Sequence, residues 1–297
     1  MTTTHLAYSD ESQHNTGRYH GICMVSLPAE HAARIVAEIE ARLVESEVTE
    51  VKWKKIKGAR DRFAALKVIN ICVQEARQGH LRLDVIIWDT EDDRHKLPGR
   101  DDRANLKNMY IQLFKNVLRK RWPIESTWQI FPDENSIIDW AYVRNTLANT
   151  DRFTSQKPNL LGEEWLSLRT HFNIFEIAEI SSREICLAQV ADLFAGMGVF
   201  SYEHFGIYQA WARKNSQQLE LITTTDENFT SKEEEHSRTL YEFNQQTAKY
   251  RMGISITSSH GLSTRNPSCP INFWPYHPQH KYDKAPIRQK MFKDDVK

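Results

Sequence analysis

The sequence predicts an α/β fold in which a mixed β-sheet is flanked by helices, with an irregular appendage at the C-terminal end. Segments with strand patterns alternate along the chain with segments whose apolar residues recur at helical spacing. The run from Leu83 to Trp88 is almost wholly apolar, which is typical of a strand covered on both faces. A short polar turn joins the first two strand patterns into an antiparallel hairpin. A hairpin combined with helical crossovers predicts a mixed sheet.

The composition predicts a well-packed globular protein. Hydrophobic residues make up 40% of the 297 residues, which argues against intrinsic disorder. Lys and Arg equal Asp and Glu at 39 each, so the net charge indicates no particular polyanionic partner. The four cysteines form no Cys-x-x-Cys pair, which excludes a zinc ribbon or a disulfide framework. No signal-peptide pattern and no apolar run near about 20 residues is present, so we expect a cytoplasmic protein without a membrane partner.

The first third of the chain predicts a hairpin, two helices and an edge strand. Residues 4–11 and 18–27 have strand patterns, and Pro28 suits the first position of a helix. The apolar face of that helix is formed by Ala32, Ile35, Val36, Ile39, Leu43 and Val44. Residues 48–54 are short, charged and β-branched, which is typical of an edge strand with Lys52 and Lys54 on one face. A second helix follows over about 60–78, with a stripe that begins at Phe63.

The middle of the chain continues the alternation of strands and helices. A strand over 81–89 is followed by a charged loop over 90–105 and then by an amphipathic helix that ends near Leu118. Residues 127–132 form the next predicted strand. An irregular region that is helical in parts reaches to about 168, and residues 172–177 form a further strand.

The most apolar helix of the chain is predicted over residues 185–197, preceded by a capping box of Ser181 and Glu184. Apolar residues surround this helix on all sides, so it should be buried. Asp192 lies in its middle, and burying an unpaired carboxylate costs several kcal/mol. Asp192 therefore needs a cation, a set of hydrogen-bond donors or an unusual pKa. Gln189 and Gly196 lie on the same side of the helix, where Gly196 allows another backbone to come close.

A change of composition divides the chain into a core over 1–212 and an extension over 213–297. The extension contains a helix to about Tyr250, opened by a second capping box of Ser231 and Glu234, and a short strand over 253–257. Residues 258–288 are rich in proline and aromatic residues. We expect them to wrap the core or to contact a partner protein.

Acidic residues at the ends of strands predict a metal centre. Asp10, Asp89 and Asp133 each end a predicted strand, and sites in such folds form beyond strand ends. Together with Asp192 they offer the oxygen ligands that suit Mg²⁺ or Mn²⁺. Two alternatives remain open. Asp10 and Glu11 could simply begin a turn, and strand alternation puts them on opposite sides unless the strand bends or ends there.

Four short motifs resemble one protein family. They are Ser-Asp-Glu-Ser at 9–12, Glu-Val-Lys-Trp at 50–53, Ile-Trp-Asp at 87–89, and the helix sequence at 188–196. Over roughly residues 5–205 the chain resembles the prokaryotic family catalogued as domain of unknown function 3800, and Pro270 to Trp274 resembles one branch of it. The resemblance implies a ribonuclease-H-like fold, a metal-dependent nuclease or phosphoryl-transfer role, and a connection with phage defence.

The resemblance implies Asp10, Glu11 and Asp192 as functional acids, with a middle acid that is either Asp89 or Asp133; Asp133 is the favoured choice. The predicted function is therefore hydrolysis of DNA or RNA by a carboxylate-bound Mg²⁺ or Mn²⁺ ion. The alternative is a non-catalytic binding or regulatory module of the same fold that acts with a protein partner or as a homo-oligomer. In that alternative, Asp192 is paired with backbone donors or a lysine.

Overall fold

The computed structural model describes residues 3–12, 17–92, 102–134, 138–150, 172–217 and 228–278. Parts of several predicted segments lie outside these ranges: the polar turn at 13–16, the charged loop at 93–101, the irregular region at 135–137 and 151–171, the extension at 218–227 and the C-terminal appendage after 278. The described residues form a six-stranded sheet, a two-stranded ribbon and helices that cover the main sheet.

The strands are β1 His5–Ser12, β2 Tyr19–Pro28, β3 Arg82–Asp89, β4 Trp128–Pro132, β5 Ile174–Ile177, β6 Ile254–Ser255, β7 Ser263–Thr264 and β8 Ile271–Pro275. The main sheet has the order β5-β4-β1-β2-β3-β8, and β6 pairs with β7. β2 is antiparallel to both β1 and β3. The other pairs in the main sheet are parallel, so β1, β3 and β4 all end at the same edge of the sheet.

Helices lie on both faces of this sheet. They are α1 Ala29–Glu45, α2 Ala59–Gln78, α3 Asp102–Lys120, α4 Trp140–Thr150, α5 Cys186–Glu203, α6 Phe205–Gln217 and α7 Ser231–Lys249. One core lies between the sheet and α1, α2, α5 and α7, and a second lies between the sheet and α3 and α4. Along β2, Cys23 and Val25 belong to the first core, whereas Ile22 and Met24 belong to the second, as strand alternation requires. The predicted α/β class with a mixed, helix-flanked sheet is confirmed.

The edge strand predicted over residues 48–54 is wrong. The segment is irregular and ends in a single 3₁₀ turn, Trp53–Lys55. The Val51 N–H donates to Gln189 Oε1 at 3.0 Å, and the Trp53 N–H donates to Asp192 Oδ2 at 2.8 Å. Two side chains of α5 therefore take the hydrogen bonds that a neighbouring strand would have taken.

Both predicted capping boxes differ from the structure. α5 begins after Ile185 without a side-chain cap, whereas the predicted Ser181 and Glu184 form the preceding turn, in which the Glu184 N–H donates to the Ser181 carbonyl at 3.1 Å. α7 does have a capping box, but its members are Thr230 and Glu233, one residue earlier than predicted. The hydroxyl of Ser231 donates instead to the Lys57 carbonyl at 3.0 Å.

The C-terminal extension is joined to the core through both α7 and β8. Arg62 of α2 forms an ion pair with Glu235 of α7, with 2.5 Å between Nε and Oε2. β8 lies parallel to β3 at the edge of the sheet, and Asn272 donates to the buried Asp84 carboxylate at 3.1 Å. The predicted domain boundary at 212 falls within α6. Among the described residues, no helix combines the length and apolar character needed to cross a bilayer.

Candidate functional site

Three of the five acids predicted at the site, Asp10, Asp133 and Asp192, come together near the ends of β1 and β4. Asp10 and Glu11 lie close to the C-terminal end of β1. Asp133 follows β4, and its N–H donates to the Ser9 carbonyl of β1 at 2.8 Å. Asp192 lies in the middle of α5, which packs on β1 and β2. We refer to Asp10, Asp133 and Asp192 as the carboxylate group.

Asp10 is the most buried member of the carboxylate group, with 5% of its surface exposed. Burial raises the pKa of Asp10 well above its usual range, and the carboxylates of Asp192, Glu11 and Asp133 raise it further because like charges repel. The nearby ammonium of Lys52 acts in the opposite direction. An ionised Asp10 is therefore unfavourable unless further positive charge balances the group.

The cost of burying the Asp192 carboxylate is reduced in the three ways predicted from the sequence: by cations, by a hydrogen-bond donor and by an unusual pKa. Burial raises the pKa of Asp192, and the net value with all neighbouring groups is about 6. The hydrogen bond from the Trp53 N–H lowers this pKa, as do the charges of Lys52 and Lys54. The side chain is therefore held in one orientation by a backbone donor, next to two cations.

Hydrogen bonds also orient the remaining acids. The N–H and the hydroxyl of Ser182 donate to the two oxygens of Asp133, at 2.7 and 2.9 Å. Glu11 points to the opposite face of the sheet, as strand alternation predicts, and there the hydroxyl of the fully buried Tyr110 of α3 donates to Glu11 Oε2 at 2.6 Å. Asp10 Oδ1 accepts from the Glu11 N–H at 2.7 Å. Each member of the carboxylate group is thus positioned by at least one donor.

Asp89 lies outside the carboxylate group. In the sheet register Asp10 is level with Cys23 of β2, which is level with Val85 of β3, so Asp89 lies four residues further along. Arg18 binds the Asp89 carboxylate through Nε at 3.0 Å and Nη2 at 2.6 Å. The choice between Asp89 and Asp133 as the middle acid therefore favours Asp133, which the fold brings beside Asp10.

Ser182 is a member of the site that the sequence does not single out, and Lys52 is a member for which the sequence favours a solvated edge-strand face over a contact with phosphate. The Lys52 side chain is only 12% exposed, and its ammonium donates to Ser182 Oγ at 2.7 Å. The Ser182 hydroxyl in turn donates to Asp133. Lys52 also lies 3.4 Å from Glu50 Oε1. The Glu-Val-Lys-Trp motif at 50–53 is the available signal, but its interpretation as an edge strand predicts a solvated Lys52.

One face of α5 explains why residues 50–53 lie at the site. Gln189, Asp192 and Gly196 follow one another at helical spacing and all contact this segment. A Cβ on Gly196 would overlap the Trp53 side chain, so only glycine permits the approach. A close approach at Gly196 is present, as predicted, but the nearest atoms belong to the Trp53 side chain rather than to a backbone.

The carboxylate group suits Mg²⁺ or Mn²⁺ as a set of metal ligands, because each member offers carboxylate oxygen. The uncompensated repulsion at Asp10 also favours a cation. Yet within the described ranges no three Asp, Glu, His or Cys side chains are arranged to hold a metal ion. The ligand chemistry and the charge of the carboxylate group thus fit such an ion. To provide three ligands, its side chains would have to move closer together when the ion binds.

Comparison with known proteins found two similar chains. The first, "Uncharacterized protein ORF2'" of Methanothermobacter thermautotrophicus, is 39% identical over 292 residues, which cover 95% of this chain and 98% of the relative. The second, "Uncharacterized protein ORF2" of the same organism, is 37% identical over 291 residues, with the same coverage of both chains. No protein-family model matches the chain. The resemblance to the domain of unknown function 3800 family therefore stays a prediction.

Proposed function

The chain belongs to the same family as ORF2' and ORF2 of Methanothermobacter thermautotrophicus, and we propose that it is a nuclease that hydrolyses phosphodiester bonds with Mg²⁺ or Mn²⁺. The observation that carries this proposal is the convergence of Asp10 and Asp192. One lies near the end of a central strand, the other lies in an apolar helix, and both are set among further acids. A structural role needs only one buried acid with its donor, whereas repelling acids are typical of sites that bind cations.

Each member of the carboxylate group has a proposed part in this reaction. Asp10 and Asp192 would hold the ion and Asp133 would complete the ligand set. The predicted role of Glu11 as a ligand or water-orienting residue does not fit its position, because Glu11 is bonded to Tyr110 on the other face of the sheet. A bound ion supplies Lewis acidity and a water molecule of lowered pKa. The Lys52 ammonium would bind a phosphate oxygen of the substrate, because it is a compact positive charge that lies close to the acids.

The proposal also covers fold family, biological role and location. The resemblance to the domain of unknown function 3800 family supports a ribonuclease-H-like fold, a nuclease role and an involvement in phage defence. A cytoplasmic location is supported by four cysteines that form no disulfide, since thiols persist in reducing compartments. Nucleic acid, either DNA or RNA, is the proposed partner.

The nuclease proposal is tested by incubating the full chain with single-stranded and double-stranded DNA and RNA, in Mg²⁺, Mn²⁺ or EDTA. We expect cleavage in metal and none in EDTA. Asp10→Asn should abolish cleavage, while Asp89→Asn should retain it. Asp89 is the matched control because it also ends a central strand but lies with Arg18, outside the carboxylate group. Intact substrates under every condition, or equal cleavage by Asp10→Asn, would refute the proposal.

A second candidate function is a non-catalytic binding or regulatory module. The specific observation in its favour is that Asp133 and Asp192 already have donors, from Ser182 and from the Trp53 N–H, and that Lys52 partly balances the charge. This candidate predicts binding of a nucleic acid or protein partner, or assembly as a homo-oligomer, without cleavage. It also predicts that Asp192→Asn weakens the fold, because the hydrogen bond from the Trp53 N–H would no longer reach a charged acceptor.

A further inference from the structure

A stretch of concentrated positive charge lies next to the carboxylate group. Residues 52–60, which we refer to as the basic loop, contain five Lys or Arg and no acid in nine positions, although the whole chain has a net charge of zero. The exposed basic side chains are those of Lys54, Lys55, Lys57 and Arg60. Trp53 and Ile56 between them are buried and fix the backbone. The exposed basic side chains therefore extend from a backbone that buried side chains hold in one conformation.

The basic loop is tied directly to the carboxylate group. Its Trp53 N–H donates to Asp192, and its Lys52 ammonium donates to Ser182, which in turn bonds to Asp133. The charge of Lys54 also acts on Asp192. An anion bound along the loop would therefore lie next to the acids.

An open cavity of about 380 Å³ runs along the basic loop. It lies between the end of α1 and the start of α2, and Lys52 lines it while donating to Ser182, which bonds to Asp133 of the carboxylate group. Part of its positive charge is neutralised, because Glu50 pairs with Lys55 and Asp61 lies 3.9 Å from Arg60. Within the described segments, neither Lys54 nor Lys57 has a carboxylate partner of this kind. The surface thus retains positive charge that an external anion can use.

We propose that the basic loop binds the phosphate backbone of a nucleic acid strand and leads it past Lys52 to the carboxylate group. The direction of the strand towards those acids rests on the proposed nuclease function; the binding itself does not. Repeated exposed lysine and arginine side chains suit a polymer of phosphates, because each phosphate neutralised releases a counterion and adds to affinity. The inward-facing Lys52 suits the phosphate nearest the acids.

The experiment measures binding of labelled single-stranded and double-stranded DNA and RNA by fluorescence anisotropy in EDTA, at several salt concentrations. The test variant is the triple substitution Lys54→Gln, Lys57→Gln and Arg60→Gln. The control variant removes the same charge at the far ends of three helices, with Arg77→Gln, Lys120→Gln and Lys249→Gln. Thermal unfolding of both variants checks that they are folded.

We expect the test variant to bind at least about tenfold more weakly at low salt. Its salt-dependence slope should be smaller by about 2 to 3, because each substituted side chain leaves one phosphate without its neutralising charge. The control variant should bind like the wild type. Equal affinities and slopes for the two variants would overturn the proposal, as would an absence of binding by the wild type to every nucleic acid.

The binding and cleavage experiments together distinguish a failure of the basic-loop proposal from a failure of the nuclease proposal. Weaker binding by the test variant, together with no cleavage by the wild type in Mg²⁺ or Mn²⁺, would support the basic loop and refute the nuclease. Metal-dependent cleavage that the test variant performs at the wild-type rate and affinity would support the nuclease and overturn the basic loop as its substrate-binding surface.

Discussion

Asp192 has two opposing effects on the stability of the metal-free protein. Its Oδ2 satisfies the Trp53 N–H at 2.8 Å, which stabilises the fold. Its charge repels Asp10, and neither carboxylate is fully solvated. Substitutions that separate the hydrogen bond from the charge therefore distinguish a site built for a cation from a purely structural acid.

The first prediction concerns two variants of Asp192. Asp192→Asn keeps an acceptor oxygen for Trp53 but removes the charge, so the free energy of unfolding in EDTA should stay level or rise, by up to about 1 kcal/mol. Asp192→Ala leaves the buried N–H without an acceptor and should lower it by about 1–3 kcal/mol. Urea unfolding at pH 7 measures both values. A decrease as large in the Asn variant as in the Ala variant would favour the structural role.

His236 of α7 is a buried histidine that packs against Trp53 of the basic loop. It is 3% exposed, stacks on the Trp53 ring at 4.4 Å, and its Nε2 lies 2.8 Å from the Trp53 carbonyl oxygen. Because a carbonyl only accepts, Nε2 carries the proton of the neutral ring. The pKa of His236 is lowered to about 4, chiefly by burial and also by the charges of Lys232 and His204, against the opposing effect of the Trp53 carbonyl.

The second prediction is a decrease of stability in acid. The folded pKa of His236 lies below its unfolded value of about 6.5, so the unfolded state binds more protons between these values. The contribution of neutral His236 to the free energy of unfolding is complete above pH 6.5. It declines as the pH falls towards 4, by about 3 kcal/mol in total. Urea unfolding from pH 7 to 4 should show a steeper decline for the wild type than for His236→Gln. Parallel declines would contradict the prediction.

At this scale the sequence predicts the buried acids but not their partners. Asp10 and Asp192 are identifiable because a carboxylate in an apolar segment must be compensated, and Gln189 and Gly196 follow from helical spacing. Ser182 is not identifiable, because its role depends on a turn that places it beside Asp133 after a long separation in sequence. For Lys52 the sequence favours a solvated position, since only the packing of its segment on α5 brings it to the site.

Among the elements, α5 has the largest influence on the site. It packs on β1, β2 and β3, and its Gln189, Asp192 and Gly196 fix the segment that begins the basic loop. A change in the distance between α5 and this segment would therefore alter the carboxylate group and the basic loop together.

The third prediction tests that distance with two glycines. Gly196→Ala would place a Cβ into the Trp53 side chain, and we expect a decrease of about 1–3 kcal/mol in unfolding free energy as the segment is pushed away. Gly206→Ala is the matched control, because a Cβ there meets nothing within 4 Å and alanine favours the α6 helix. It should be neutral or stabilising. Equal effects of the two substitutions, in thermal or urea unfolding, would contradict the close approach.

Sequence patterns predict elements well where periodicity is long and poorly where the hydrogen-bond partners are distant. The strands β1 to β5 and the helices α1, α2, α3, α5 and α7 follow the sequence patterns closely. The pattern places Phe63 on the buried stripe of α2, but it is 54% exposed and lies under the Arg62 guanidinium. It likewise places Val44 on the buried face of α1, but Val44 is 78% exposed in the last turn. Residue type alone does not reveal which edge of a helical stripe remains in solvent.

For the molecule as a whole, the main difference from the sequence prediction is the way the C-terminal segment completes the sheet. β8 covers the edge of β3, and its Ile271 and Phe273 are fully buried in the core shared with α2, α5 and α7. A proline-rich composition indicates an irregular appendage, and the pairing of β8 depends on a strand that lies far away in sequence. Such long-range pairing leaves little local signal.

The fourth prediction compares phenylalanines on the two edge strands. Phe273→Ala on β8 should lower the free energy of unfolding by about 3–5 kcal/mol, because it leaves a cavity against Phe243. Phe175→Ala on β5 should change it by less than about 1 kcal/mol, since that ring is 57% exposed. A similar small effect of both changes would mean that the C-terminal segment is not part of the cooperative core.

The most direct test of a cation shared by Asp10 and Asp192 is the stability of the full chain as Mn²⁺ is added to metal-free protein. At a free concentration about 100-fold above the dissociation constant, the wild type should gain about 2.7 kcal/mol in unfolding free energy. Asp10→Asn and Asp192→Asn should abolish this gain, while Asp89→Asn should keep it. No gain in the wild type, or the same gain in all four proteins, would contradict the metal centre.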